Sequence, residues 1–149
     1  MASSEIHWVF NEISQWDGTI RKSRVKVVYG LPFTLTIHSD GWEGGFFVTL
    51  SCLLKGVDCR SWSADFSYTL TACNGFSEGA RVKKSRTTLN HALCEVSMEM
   101  KTKEVIDSPG IRRGFTIADR IVVKASFTVH NLRGVSDLVR QCEIEWGAQ

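Results

Sequence analysis

The sequence predicts an all-β fold, an antiparallel β-sandwich of about eight strands around one shared core. Three observations predict it. From Ser61 to Cys73, Trp62, Ala64, Phe66, Tyr68, Leu70 and Ala72 alternate with Ser63, Asp65, Ser67, Thr69 and Thr71. Because a strand turns successive side chains to opposite faces, this is one apolar face and one wetted face of a sheet. The same division recurs in at least three further segments, and helical periodicity is almost absent before the last fifteen residues. Even strand spacing without helices favours a sandwich over a ferredoxin-like or doubly wound fold. A closed barrel is the structural rival.

Each element follows from its own pattern. Ile6 to Ile13 reads as the first strand, with Trp8 and Phe10 on one side. Asp17-Gly18 marks a turn, and Ile20 to Ser23 is expected to cross the end of the sandwich. Arg24 to Tyr29 forms the next strand, stopped by Gly30 and Pro32. Phe33, Leu35 and Ile37 then alternate with Thr34, Thr36 and His38, and the glycine-rich run 39–45 closes a hairpin. Phe46, Val48, Leu50, Cys52 and Leu54 face inward, against Phe47, Thr49 and Ser51. After the Trp62 strand, Asn74-Gly75 and Gly79 signal a loop. Val82 to Cys94 is less regular, whereas Val96, Met98 and Met100 alternate cleanly with Glu95, Ser97, Glu99 and Lys101. Asp107-Ser108-Pro109-Gly110 is a turn. Arg120 to His130 is the last clear strand, with Ile121, Val123, Ala125, Phe127 and Val129 inward. Beyond Gly134 the residues Val135, Leu138, Val139 and Cys142 sit at helical spacing behind Ser136, a suitable N-cap. Ile144 and Trp146 alternate with charges instead, so a short helix and an extra strand both fit the tail.

The 149 residues are expected to form a single domain, with its core in 6–130 and a C-terminal extension over 131–149. A formal charge of +2, from 18 basic and 16 acidic residues, gives no general attraction to nucleic acid. No apolar run approaches the roughly 20 residues of a membrane helix. The start, MASSEIHW, lacks the basic and apolar regions of a signal peptide. Five cysteines at irregular spacing and no Asn-x-Ser/Thr sequon favour a reducing compartment, hence the cytoplasm or nucleus.

None of His7, His38, His91 and His130 stands at a metal-binding spacing, and no cysteine pair forms C-x-x-C. Cys94 lies close to His91, a coincidence of sequence on an irregular strand. There is no P-loop, dinucleotide fingerprint or G-x-S-x-G. A non-catalytic protein without cofactor or metal is expected. Arg81, Lys83, Lys84 and Arg86 form a basic cluster, placed by the sequence in a loop, which suits either an acidic ligand or a solvated surface.

Five segments, in order, resemble the MATH domain (meprin and TRAF homology). Trp8 to Ser14 is similar to that family's opening strand, and Gly30-Leu31-Pro32-Phe33-Thr34-Leu35 to its G-x-x-W-x-L, with Phe33 replacing tryptophan. Phe47 to Cys52 and Trp62 to Phe66 resemble its next strands. Gly114 to Ile121 resembles the G-[FY]-[LT]-x-x-D-x-[LI] run opening its final strand. The resemblance implies a TRAF-like sandwich that binds short peptide segments of partner proteins in a shallow groove. Many such proteins serve as adaptors in ubiquitin-ligase or signalling assemblies. It implies Phe47 and Phe66 as groove aromatics, and it aligns Cys94-Glu95-Val96 with a W-G-F motif that this chain lacks.

The residues themselves point to Phe47 as an outward aromatic on a face lined by Thr34, Thr36, Thr49 and Ser51. A lone surface hydrophobe, or a register shifted by one that would bury the ring, accounts for Phe47 equally well, and alternation alone assigns Phe66 to the core. Trp42 either contacts a partner or caps the core. The peptide-binding expectation therefore comprises Phe47, Thr49, Ser51, Phe66, Cys94 and Val96. The alternative is an assembly or homo-oligomer module acting through edge strands or the extension, with Leu132, Val135, Leu138 and Val139 as contacts.

Overall fold

The computed structural model describes residues 2–13, 16–28, 30–41, 43–53, 62–73, 81–90, 92–102 and 120–134. Nine strands lie among them: β1 (Ala2–Asn11), β2 (Arg21–Lys22), β3 (Lys26–Val28), β4 (Leu31–Ser39), β5 (Gly45–Cys52), β6 (Ser63–Cys73), β7 (Arg81–Asn90), β8 (Glu95–Lys101) and β9 (Arg120–Arg133). They form two antiparallel sheets. One runs β1-β9-β6-β7, and the other runs β2-β4-β5-β8 with β3 also on β4. The predicted sandwich is the fold found.

Alternation builds the interior. Trp62, Phe66, Leu70 and Ile121 from one sheet meet Phe33, Leu35, Val48 and Leu50 from the other, all buried. Phe127 sits between them, 5.1 Å from the Phe33 ring and 6.1 Å, edge-on, from that of Phe66. Aromatic contacts of this geometry add to simple area burial. The interior is filled with large side chains, as expected for a sandwich.

Three elements depart from the sequence reading. Arg21 and Lys22 do not cross the end of the sandwich; they pair with Ile37 and Thr36 as β2. Here β2 and β3 are two halves of one edge strand, broken at Ser23. The Ser23 backbone donates to Leu35 O at 2.8 Å, while its Oγ accepts from Leu35 N at 2.8 Å. A hydroxyl thus replaces the carbonyl missing from the ladder, satisfying a buried amide. Most of the segment read as irregular, Val82–Cys94, belongs to a regular ten-residue strand, β7 (Arg81–Asn90), which places the basic cluster on a sheet edge rather than in a loop. The last strand continues past His130 to Arg133, with Leu132 opposite Ala64.

The hairpin end of β4 depends on Gly18. Its φ is +92°, and a Cβ there would lie 2.5 Å from Ser39 O. The close approach serves a bond from Ser39 N to Gly18 O of 2.9 Å. Gly18→Ala is expected to cost about 1–3 kcal/mol in a urea melt, from a strained φ and the clash. Gly41→Ala is the comparison: φ is +101°, with nothing within 4 Å of the added Cβ. It should cost only the backbone part, about 1–2 kcal/mol.

Each open side of the sandwich is bridged between sheets by long basic side chains. On one side Lys26 Nζ donates to Glu5 O of β1 at 3.1 Å, and Arg21 donates to Asn11 O and Glu12 O. On the other, Lys83 Nζ of β7 donates to Ser97 O of β8 at 2.8 Å.

Candidate functional site

The β8 edge and the adjoining outer face of its sheet make the candidate site. β8 pairs with β5 in the register Leu50↔Val96 and Phe47↔Glu99. Cys52 N donates to Cys94 O, and Thr102 N to Gly44 O, so even-numbered residues turn their amides toward β5. In an antiparallel ladder the alternate residues then direct N–H and C=O away from it. Glu95, Ser97, Glu99 and Lys101 therefore present their backbone groups along the outer edge, which no other strand among the described residues pairs, and which is the free edge in that sense. Their side chains are exposed on the outer face.

The inward side chains of β8 report how open this side is. Val48 and Leu50 of β5 are fully buried, whereas Val96, Met98 and Met100 retain 8%, 6% and 9% exposure. They stand at the rim of the core because β7, across the gap, supplies little apolar cover. On β7 the core-facing row is Lys83, Ser85, Thr87 and Leu89, opposite Leu70, Tyr68, Phe66 and Ala64. Only Leu89 is buried. Among the described residues no strand joins β7 to β8, and this polar row faces the gap between the two edges, a cleft only in that sense, which Lys83 spans to Ser97 O.

Phe47 lies on the outer face, half-buried, as alternation predicts. Its ring stacks on His38 at 5.6 Å and 20°, and His38 Nε2 is 3.3 Å from Asp40 Oδ1. The ring leans along β5 over Gly45, where an added Cβ would come within 2.9 Å of it. Thr49 and Ser51 are half-buried beside it, and Ser51 Oγ donates to Glu95 Oε2 at 3.4 Å. These three residues and the β8 edge form one continuous surface. Thr34, expected on that face, is buried.

Three expected groove residues are displaced from it. Phe66 is in the core against Phe127 and Tyr68, since its parity on β6 turns it inward. Val96 faces inward on β8 for the same reason. Cys94 is a buried thiol donating to Asn90 O at 3.0 Å, in the β7–β8 turn that Asn90 Oδ1 also braces through Ala92 N and Leu93 N. None of the three belongs to the outer face around Phe47. Leu132 packs half-buried against the core from β9. Val135, Leu138, Val139 and Trp42 lie outside the described residues.

The basic cluster divides by parity. Lys84 and Arg86 point outward from β7, beside a 560 Å³ depression that also involves Ser67, Thr69, Ser126 and Thr128. Arg86 is committed to Asp65, at 2.8 and 3.2 Å, and holds that carboxyl below the usual carboxylate range. Lys83 points the other way, into the cleft. Alternation could have flagged it, because Lys83, Ser85 and Thr87 occupy core-facing positions yet are polar. Among the described residues no group of three or more His, Cys, Asp or Glu is placed to hold a metal ion. No helix among them is long and apolar enough to cross a membrane.

The MATH domain family model matches residues 10–129, and the chain belongs to that family. Its members are generally protein–protein interaction modules and typically non-catalytic. No curated protein matches the chain. A solved structure described as "CBM4 structure and function" is similar at 9% identity over 85% of each chain, with a TM-score of 0.17. A likeness that slight carries no argument.

Proposed function

We propose that this chain is a peptide-recognition adaptor that takes an extended segment of a partner protein along the free edge of β8. The carrying observation is that edge itself. Among the described residues no strand pairs with the outer side of β8, where the backbone groups of Glu95, Ser97 and Glu99 lie next to an outer face bearing Phe47, Thr49 and Ser51. Strand addition supplies main-chain hydrogen bonds, and alternate side chains supply specificity. The opposite open side is less available, because Arg21 and Lys26 occupy three of its carbonyls. The module works without catalysis, in the cytoplasm or nucleus, in a ubiquitin-ligase or signalling assembly.

Glu99→Pro tests the edge. Proline there removes an N–H that faces away from β5 and obstructs an incoming strand, while the β5 ladder keeps its bonds. Ligands recovered by pulldown and mapped on a peptide array should lose at least about tenfold in affinity. Undiminished binding by a folded variant would exclude strand addition at β8.

The same free edge supports a second reading, pairing with another copy of the chain. Light scattering distinguishes them: a monomer at working concentration counts against self-assembly.

A further inference from the structure

We propose that Lys83 is a latch on the β8 edge, and that the segment displacing it carries an acidic residue at the position entering the cleft. The inference rests on the strand-addition reading and names the chemistry of its ligand. Lys83 stands on the core-facing side of β7, opposite buried Leu70, yet its ammonium crosses to the other sheet. There it donates to Ser97 O at 2.8 Å, one of the carbonyls that β8 directs to its free edge. An added strand needs that carbonyl for its own amide. Lys83, exposed before binding, must let go, and its charge is then partly covered by the incoming strand beside the polar row of Ser85 and Thr87.

A cation covered in this way requires a new partner, since desolvating an unpaired charge is costly. Ser85 and Thr87 are neutral. The compensating group has to come from the ligand, and a carboxylate gives the strongest hydrogen bond to an ammonium. Side chains of an added strand alternate between the cleft and the outer face. On the outer face they pass Glu95 and Glu99, where an acidic residue meets like charge. The required acidity is therefore confined to cleft-facing positions, and outer-face positions favour neutral or basic residues. Lys83 is in this sense a specificity-determining residue.

The test is selection of ligands from a random peptide display library against the full chain, its Lys83→Met variant and its Lys83→Glu variant. Thermal melts verify that both variants fold, and amide hydrogen exchange locates the bound ligands. Peptides selected on the native chain should protect β8 amides and show Asp or Glu at one position, with no acidic residue at its immediate neighbours. Lys83→Met should weaken those peptides about tenfold while tightening neutral ones, because no latch remains to be displaced. Lys83→Glu should select Lys or Arg at the same position. Ligands that protect β8 with the same residue preferences on all three proteins would overturn the latch and leave strand addition standing. Ligands that protect other strands, or a library yielding none, would overturn strand addition and the latch with it.

Discussion

Phe66→Ala is expected to cost about 3–5 kcal/mol in a urea melt. The ring is buried at the centre of β6, tilted against Tyr68 at 5.6 Å and edge-on to Phe127 at 6.1 Å. β6 sits between β7 and β9 and is itself held by a ladder on each side. The cavity left by the ring therefore cannot collapse easily. Since domains hold only about 5–15 kcal/mol of net stability, this one substitution removes a large share. Thr69→Ala, on the opposite face of the same strand, should change stability by no more than about 0.5 kcal/mol. The two in reverse order would mean that the register of β6 is wrong.

Phe47→Asp should weaken binding of a verified partner peptide by well over tenfold, because a charge replaces an aromatic surface next to the β8 edge. Stability should fall by about 1 kcal/mol rather than not at all, since the ring stacks on His38 and covers Gly45. The new carboxylate also lies opposite Glu99. Calorimetric titration and urea melts on the same variant separate the two effects. Full affinity in a folded variant would remove Phe47 from the binding surface.

Most of the fold was legible because most strands divide sharply into two faces. β5 and β8 alternate without exception between buried and outward positions. Period-two reading fails where that contrast is missing. β7 is an edge strand whose inward row is polar until Leu89, so its pattern read as irregular although its backbone is not. The break between β2 and β3 was hidden for another reason: a serine hydroxyl doing the job of a carbonyl leaves no trace in apolar periodicity.

The site was legible only in part. Phe47 was placed correctly by parity on a single strand. Phe66, Cys94 and Val96 entered through positional resemblance, which orders residues along a strand but does not say which face each one occupies. Alternation had already put Phe66 inside, and that was the better guide. The Lys83–Ser97 contact joins two sheets whose edges become neighbours only through the strand order, so no local pattern could announce it.

Lys26 and Lys83, guarding opposite sides of the sandwich, bear on the colloidal behaviour of the chain. With a formal charge of only +2, overall repulsion between molecules is weak. Bare strand edges in so nearly neutral a protein would be free to zip together into aggregates. The ammonium and guanidinium groups seated on edge carbonyls add to the charged side chains of β7 and β8 in opposing that fate. Conditions that neutralise lysine would then harm solubility far more than a change of one or two units in net charge suggests.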